Sequence, residues 1–452
     1  MANVIKIKKG LDINLKGKAS DVLLNGGKSD SYAIVPDYYN GIVPKVVAKV
    51  GEKVKAGSVL MIDKNRPEIK FVSPVSGEVT AVNRGEKRKV LSVVVKPEAQ
   101  IEYEDFGKKN VASLKREEVK EAILHAGMWP FIKQRPYDIV ASPADEPRDI
   151  FVSAFYSAPL APNFDFVVKG QEVDFQTGLD ALAKLTDGKV YVGIRKGSSV
   201  SVKGVETVEV EGPHPAANVG VQINHIKPIN KGEVVWTVNP ADVIVIGGGL
   251  SGINKGIADF SRLVVITGSE TTERGYVKAI AGCTIASLVD GKIMRGNDDI
   301  RIISGNVLTG TKVEKNDYLG AYDNQITVIP EGDETHDFFG WATPGFGKFS
   351  VSHSFPAWLM GKNKEYVIDA RIKGGKRAMI MSNEYDSVFP MDIMPEYLLK
   401  AIIAFDIDKM ENLGIYEVAP EDFALCEFVD TSKLEIQKIV RQGLDVLYKE
   451  MN

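Results

Sequence analysis

Three glycines close the run VIVIGGGLSG: Gly247, Gly249 and Gly252 stand at the spacing G-x-G-x-x-G. Directly after an apolar strand, that spacing lets the backbone approach a pyrophosphate at a helix N-terminus. The following RLVVITGSE offers a second apolar strand and an acid, Glu270, about where a ribose-binding carboxylate belongs. On this reading the chain is a stand-alone flavin or NAD oxidoreductase. Against it, a dinucleotide fingerprint belongs to the first strand–helix–strand unit of its domain, and this one comes at the end of a domain. The next segment, LSGINKGIADF, holds Gly252 and Gly256, each costing about 1 kcal/mol in a helix interior. The glycines therefore read as a strand turning into a loop.

His214 and His225 are the other residues whose chemistry suits neutral pH, since a histidine changes charge there and can pass a proton. They lie eleven positions apart with no third ligand nearby, so no metal site is expected. His214, between Pro213 and Pro215, is equally suited to hydrogen-bonding backbone on a rigid turn. Cys283 and Cys426 are the two thiols of the chain. They imply a reduced compartment, no disulfide, and too few ligands for a [4Fe–4S] centre, which generally takes four thiolates.

The elements that must position these residues fall into four stretches. Residues 1–100 read as short β-branched strands broken by turns, with an internal echo between VPKVVAKVGEKVKAGSVL and VSPVSGEVTAVNRGEKRKVL. Paired hairpin halves of this kind resemble the barrel-sandwich hybrid of biotinyl and lipoyl domains. Lys64 stands where a modified lysine would sit, but Asn65 and Pro67 beside it favour a purely structural module. Residues 101–258 alternate helix and strand. SLKREEVKEAILHAG places Val119, Ile123 and Ala126 at helical spacing, and DFQTGLDALAKLTDG does so for Phe175, Leu179, Leu182 and Leu185. That alternation predicts a parallel α/β sheet. Residues 259–330 give two strands, a short helix and a further strand, a β-grasp pattern. Residues 331–452 are irregular and aromatic-rich before ending in helices, the last with Leu434, Ile436, Ile439, Val440, Leu444 and Leu447 on one face.

The 452 residues suffice for two to four domains. The composition is that of a soluble globular chain, 44% apolar and 26% charged, and a net charge of −4 gives no reason to expect nucleic acid. No apolar run reaches the ~18–20 residues that cross a bilayer, and no secretory leader is visible at the start.

Five phrases carry a resemblance over essentially the whole chain: IKIKKGLDINLKG near the start, EGPHPAANVGVQINHIKPIN (211–230), VVWTVNPADVIVIG (234–247), DFFGWATPGFGKFS (337–350) and EDFALCEFVD (421–430). They resemble the A subunit of the sodium-translocating NADH:quinone reductase. The resemblance implies an α/β multidomain fold: a barrel-sandwich module, a Rossmann-like domain, a soluble-ligand-binding β-grasp (SLBB) module and a C-terminal helical domain. It implies kinship with the flavoprotein subunit of respiratory complex I and the C subunit of the Rnf complex. It further implies a peripheral position on the cytoplasmic side of a bacterial membrane pump, with the other subunits as partners. NADH, flavins and iron–sulfur chemistry would belong to those partners, while this chain holds no tightly bound cofactor and is associated with the quinone. In that family the stretch from Gly247 to Gly252 closes the Rossmann-like domain and is not a flavin site.

A quinone is flat and apolar with two carbonyl oxygens, so its site needs an apolar slot and one or two donors. AGMWPFIKQRPYD supplies both: Trp129, Phe131 and Tyr137 as flat surfaces, Lys133, Gln134 and Arg135 as donors. The alternative is that Trp129 and Phe131 anchor the preceding helix against the sheet. His214 and His225 become candidates for the quinol protons. The aromatic stretch 338–358 is expected to pack or to dock against a membrane subunit. A further alternative is a structural adaptor with no small-molecule site.

Overall fold

The computed structural model describes residues 3–250, 256–294, 299–333, 345–361 and 363–451. The chain first supplies edge strands to two sheets whose other strands come much later. β1 (Asn3–Lys6) will pair in parallel with Val208–Glu211, and β2 (Leu23–Leu24) with Tyr276–Val277. The barrel-sandwich module follows. β3 (Tyr32–Ile34), β5 (Lys53–Val54), β8 (Gly77–Arg84) and β9 (Val90–Pro97) form one sheet in the order β3-β9-β8-β5. β4 (Pro44–Val46), β6 (Val59–Asp63) and β7 (Lys70–Val72) form the facing one. Val79, Val93 and Val95 are fully buried between them, as the two-residue alternation of a strand requires.

The second unit is a seven-stranded sheet. α1 (Arg116–His125) leads to an antiparallel pair, β10 (Ile132–Arg135) and β11 (Ile139–Val140). Next come β12 (Ile150–Ser153), α2 (Phe164–Val167), α3 (Glu172–Lys184), β13 (Val190–Arg195), β14 (Glu206–Glu211), α4 (Val219–Ile226), β15 (Val235–Val238) and α5 (Pro240–Leu250). The strand order is β1-β14-β13-β12-β15-β10-β11, parallel from β1 to β15. The apolar face of α3 is the one its spacing predicts: Phe175, Leu179, Leu182 and Leu185 are each at most 3% exposed.

The run VIVIGG is where the sequence reading fails. It is not a strand turning into a loop but the interior of α5. Apolar runs of this length do not distinguish helix from strand, and the start signal lay just upstream. Asn239 caps the helix by accepting from the Ala241 amide at 3.0 Å, with Pro240 at the first helical position. The glycines serve packing. A Cβ on Gly247 would lie 1.8 Å from the Asp174 carbonyl oxygen, and one on Gly178 would lie 2.1 Å from that of Val243. α3 and α5 thus approach closely enough to exclude a methyl group.

β16 (Ser261–Thr267), β17 (Gly275–Ile280), α6 (Ile285–Val289), β18 (Ile300–Ser304), β19 (Thr311–Val313) and β20 (Gln325–Pro330) build the third unit around the order β19-β18-β20-β16-β17-β2. After a long irregular stretch come α7 (Pro395–Ile403), α8 (Ile407–Asn412), α9 (Ala424–Val429) and α10 (Ile436–Met451). Phe405 takes a positive φ of 55° and ends α7, and Asp406 caps α8 through the Lys409 amide. Ile436, Val440, Leu444 and Leu447 of α10 are fully buried. Each contributes about 1.5–3 kcal/mol of apolar burial.

Candidate functional site

The residues picked for a flat ligand are dispersed by the fold. Trp129 is fully buried, its indole N–H donating to the Ala141 carbonyl at 2.8 Å and its ring meeting Trp236 edge-on at 5.3 Å. It anchors the turn after α1 against the sheet. Arg135 is buried and committed to the C-terminal helices. Nη1 donates to Asp422 Oδ2 at 2.8 Å and to the Glu417 carbonyl at 2.9 Å, and Nη2 donates to Glu421 Oε1 at 3.0 Å. Burial works against the guanidinium charge, yet Asp422 and Glu421 outweigh it and raise its pKa. Tyr137, at a φ of 80°, packs edge-on against Tyr448 and accepts from Arg441 through its carbonyl. Lys133 lies over the Tyr322 ring, 4.3 Å from its centroid. Gln134 holds Asp145 and the Ser142 amide.

Phe131 alone of this set lines an apolar cleft, and the cleft lies where three modules meet. Tyr38, Tyr39 and Phe71 come from the barrel-sandwich, Pro130 and Phe131 from the turn before β10, and Phe260 from the start of β16. The rings interlock: Tyr39 meets Phe71 at 4.6 Å and Tyr322 at 5.6 Å, and Phe131 meets Phe260 at 6.0 Å. The cavity volume is ≈ 50 Å³, small beside the ~300–1,000 Å³ of ordinary ligand pockets. Behind these rings lies a buried charge pair that the sequence reading missed. Arg262 Nη2 is 3.0 Å from Asp242 Oδ1, the two side chains at most 2% exposed. Burial pushes the Asp242 carboxyl up to about 6, against the pull of Arg262 and Lys133. Burial likewise raises the Tyr322 hydroxyl well above its ordinary value.

The nucleotide-site residues do not converge either. Gly247 and Gly249 are in α5, where a mid-helix amide is bonded within the helix and cannot cradle a phosphate. Gly252 lies outside the described residues. Glu270 follows β16, a strand of the six-stranded sheet, and accepts from the Ser269 hydroxyl. The spacing of a fingerprint is present without its strand–turn–helix frame.

His214 Nδ1 is 3.0 Å from the Ser157 hydroxyl, and its amide donates to Asp12. Burial lowers its pKa to about 4, so the ring is neutral at pH 7. His225 Nδ1 lies 2.8 Å from the Val221 carbonyl one turn back on α4. Ser157 also lines a second, open cleft of ≈ 1270 Å³ at the C-terminal ends of β12, β13 and β14, where parallel sheets commonly take ligands. Its polar groups largely satisfy one another: Lys196 holds Glu211, Asn163 holds Asp21, and Asp165 accepts from Ser198 and Ser199.

Comparison with known proteins matches the module order just described. Family profiles match residues 5–98 as the NqrA N-terminal barrel-sandwich hybrid domain, 114–252 as the NqrA second alpha/beta domain and 263–315 as the NQRA C-terminal domain. The A subunit of the Na(+)-translocating NADH-quinone reductase of Neisseria meningitidis serogroup A (strain Z2491) is 36% identical over 99% of this chain and 100% of its own length. The chain belongs to the NqrA family. The NqrA protein of Vibrio atlanticus is 37% identical over the same shares, and that of Neisseria gonorrhoeae (strain NCCP11945) 36%. An NAD+-reducing [NiFe]-hydrogenase in the H2-reduced state aligns over 51% of this chain and 52% of that one at 10% identity, with a TM-score of 0.32, a likeness too distant to bear on the fold.

In this NqrA chain the hairpin tip with Lys64 is fixed rather than swinging. Arg66 grips the buried Asp63 at 2.8 Å and donates to the Val140 and Gly41 carbonyls, tying the tip to β11. Cys283 and Cys426 are buried in separate cores, and burial pushes the first up to about 11 and the second well above its ordinary value. Among the described residues no group of three or more His, Cys, Asp or Glu is placed to hold a metal ion, and no helix is long and apolar enough to cross a membrane. The aromatic stretch 338–358 falls partly outside the described residues; within it Phe346 is exposed, as is Leu359 just beyond its end. The sequence offered one clue to the cleft that went unread: the consecutive Tyr38 and Tyr39 of PDYYN, placed by a single turn of 3-10 helix beginning at Pro36.

Proposed function

We propose that this chain works as the A subunit of a sodium-translocating NADH:quinone reductase, peripheral on the cytoplasmic face of the bacterial inner membrane. There it contributes to quinone binding and to assembly of the pump. NADH oxidation, the flavin and iron–sulfur chemistry, and sodium export belong to the other subunits. The Rossmann-like reading of the seven-stranded sheet and the helical reading of the C-terminal domain complete this picture, the parallel order from β1 to β15 supporting the first.

The observation that carries the quinone role is the cleft walled by Tyr38, Tyr39, Phe71 and Phe131, an apolar slot with flat faces. Phe131 keeps its proposed place in the site, with Lys133 close by over Tyr322. Trp129, Arg135 and Tyr137 support it from behind by fixing the turn and strand that present Phe131. The test is calorimetric titration of the full chain with a short-chain 1,4-benzoquinone. Tyr38→Ala and Phe131→Leu should each weaken binding about tenfold, the share of an apolar contact worth roughly 1.4 kcal/mol. No binding by the unaltered chain, or unchanged affinity in both variants, would sink the quinone role and leave a structural adaptor. Purification of a tagged copy from gently solubilised membranes tests membership of the pump separately: partners with NADH-dependent, sodium-stimulated quinone reduction should come with it.

A further inference from the structure

Arg262 stands out in the polar accounting of the interior. It is 5% exposed, and its Nε and Nη1 have no hydrogen-bond acceptor among the described residues; Asp242 Oδ2 has no donor. Buried polar atoms are almost always paired, so a guanidinium with idle donors marks a place where something else supplies the acceptor. Removing two charges from water is also costly, and an ion pair recovers that cost only when the remaining hydrogen bonds are made.

Arg262 is on β16, two residues after the cleft-lining Phe260, and its guanidinium carbon lies 5.5 Å from the centroid of the Phe131 ring. Phe131 therefore touches both the cleft and the charge pair. The cleft at ≈ 50 Å³ is too small for a quinone ring, so occupancy requires a wall to move. Phe131 is the wall that the slot and the guanidinium share.

We infer that Arg262 is the polar anchor of this cleft, donating its unpaired N–H groups to a carbonyl oxygen of a quinone headgroup, with Asp242 holding the guanidinium in place. The inference rests on the quinone reading above and adds the group that would orient the ring. It involves no covalent or redox step. Arg262 is a positioning residue.

Two ligands separate the anchor from the slot: a short-chain 2,3-dimethoxy-5-methyl-1,4-benzoquinone, and the matching ring with both carbonyls replaced by methyl ethers. The full unaltered chain should prefer the quinone by about tenfold to a hundredfold, the range of a hydrogen bond to a charged group. Arg262→Met combined with Asp242→Leu removes both charges, an exchange that buried ion pairs often tolerate without loss of stability. That double variant should bind the ether as before and lose the preference. An unchanged preference overturns the anchor while leaving the slot intact. Loss of both ligands from a variant with an unaltered melting point also overturns it, because the pair would then be shaping the slot. Failure of the unaltered chain to bind either ligand overturns the slot and the anchor together. A measurement without substitution covers a variant that does not fold. In isotope-edited infrared spectra of the unaltered chain, the C=O stretch of bound quinone should fall below its frequency in apolar solvent, and an unshifted band would refute the hydrogen bond.

Discussion

His214 is the residue whose expected chemistry is most altered by its surroundings. As a free imidazole it would titrate near neutral pH, but burial lowers its pKa to about 4, and a neutral ring beside Ser157 is a poor proton source at pH 7. The consequence is visible in stability. Unfolded, the ring takes its proton near 6.5; folded, it resists until about 4. Between those values the unfolded chain binds more protons, so stability is present above about 6.5 and lost as pH falls towards 4. From pH 7.5 to pH 5 the loss from this one group is about 2 kcal/mol. Urea unfolding of the unaltered chain and of His214→Gln at both pH values should show that difference; parallel pH dependences would contradict it. The sequence revealed the rigid Pro-His-Pro turn but not the burial, because Ser157, which meets the ring, and Asp12, which accepts from the His214 backbone amide, come from distant parts of the chain. Arg135 teaches the same point. Its donors were legible, but their partner Asp422 lies 287 positions away.

Legibility at the level of elements depended on whether periodicity alone could decide. α3 was readable because four apolar side chains recur at helical spacing. α5 was not, because an unbroken apolar run buried on all sides has no periodicity, and three glycines suggested an end rather than a middle. The cap Asn239 and Pro240 were the deciding signals. Glycine in a helix costs about 1 kcal/mol against alanine, and here that cost is offset by the contact of α5 with α3. Gly247→Ala should therefore destabilise although alanine favours helix, since its Cβ would stand 1.8 Å from the Asp174 carbonyl oxygen. Forcing the helices apart should cost about 1–3 kcal/mol or more, as overpacking does. Denaturant unfolding checks the sign. A stabilised Gly247→Ala variant would mean that the two helices are not held this closely.

The whole molecule depends on its first twenty-five residues in a way no local pattern announces. β1 closes one edge of the seven-stranded sheet and β2 one edge of the six-stranded sheet, while Ile7, Ile13 and Leu15 between them are buried in the cluster that also contains Leu398, Ile402, Leu444 and Leu447. The modules follow one another in sequence, yet this segment belongs to three of them at once. Pairing across two hundred positions leaves no trace in spacing, so the places of β1 and β2 in the later sheets were not legible in the sequence. Ile13→Ala should accordingly act outside the first module. Its truncation removes buried methyl groups and leaves a cavity, costing about 2–5 kcal/mol. Hydrogen exchange read by mass spectrometry should show faster exchange in β1, β14 and α10 and unchanged protection in β8 and β9, whose core of Val79, Val93 and Val95 is separate. Faster exchange confined to the barrel-sandwich would mean that the segment stabilises only the module it precedes. Exchange in the distant helices would show that the N-terminal strand ties the modules of this chain together, and with them the walls of the cleft.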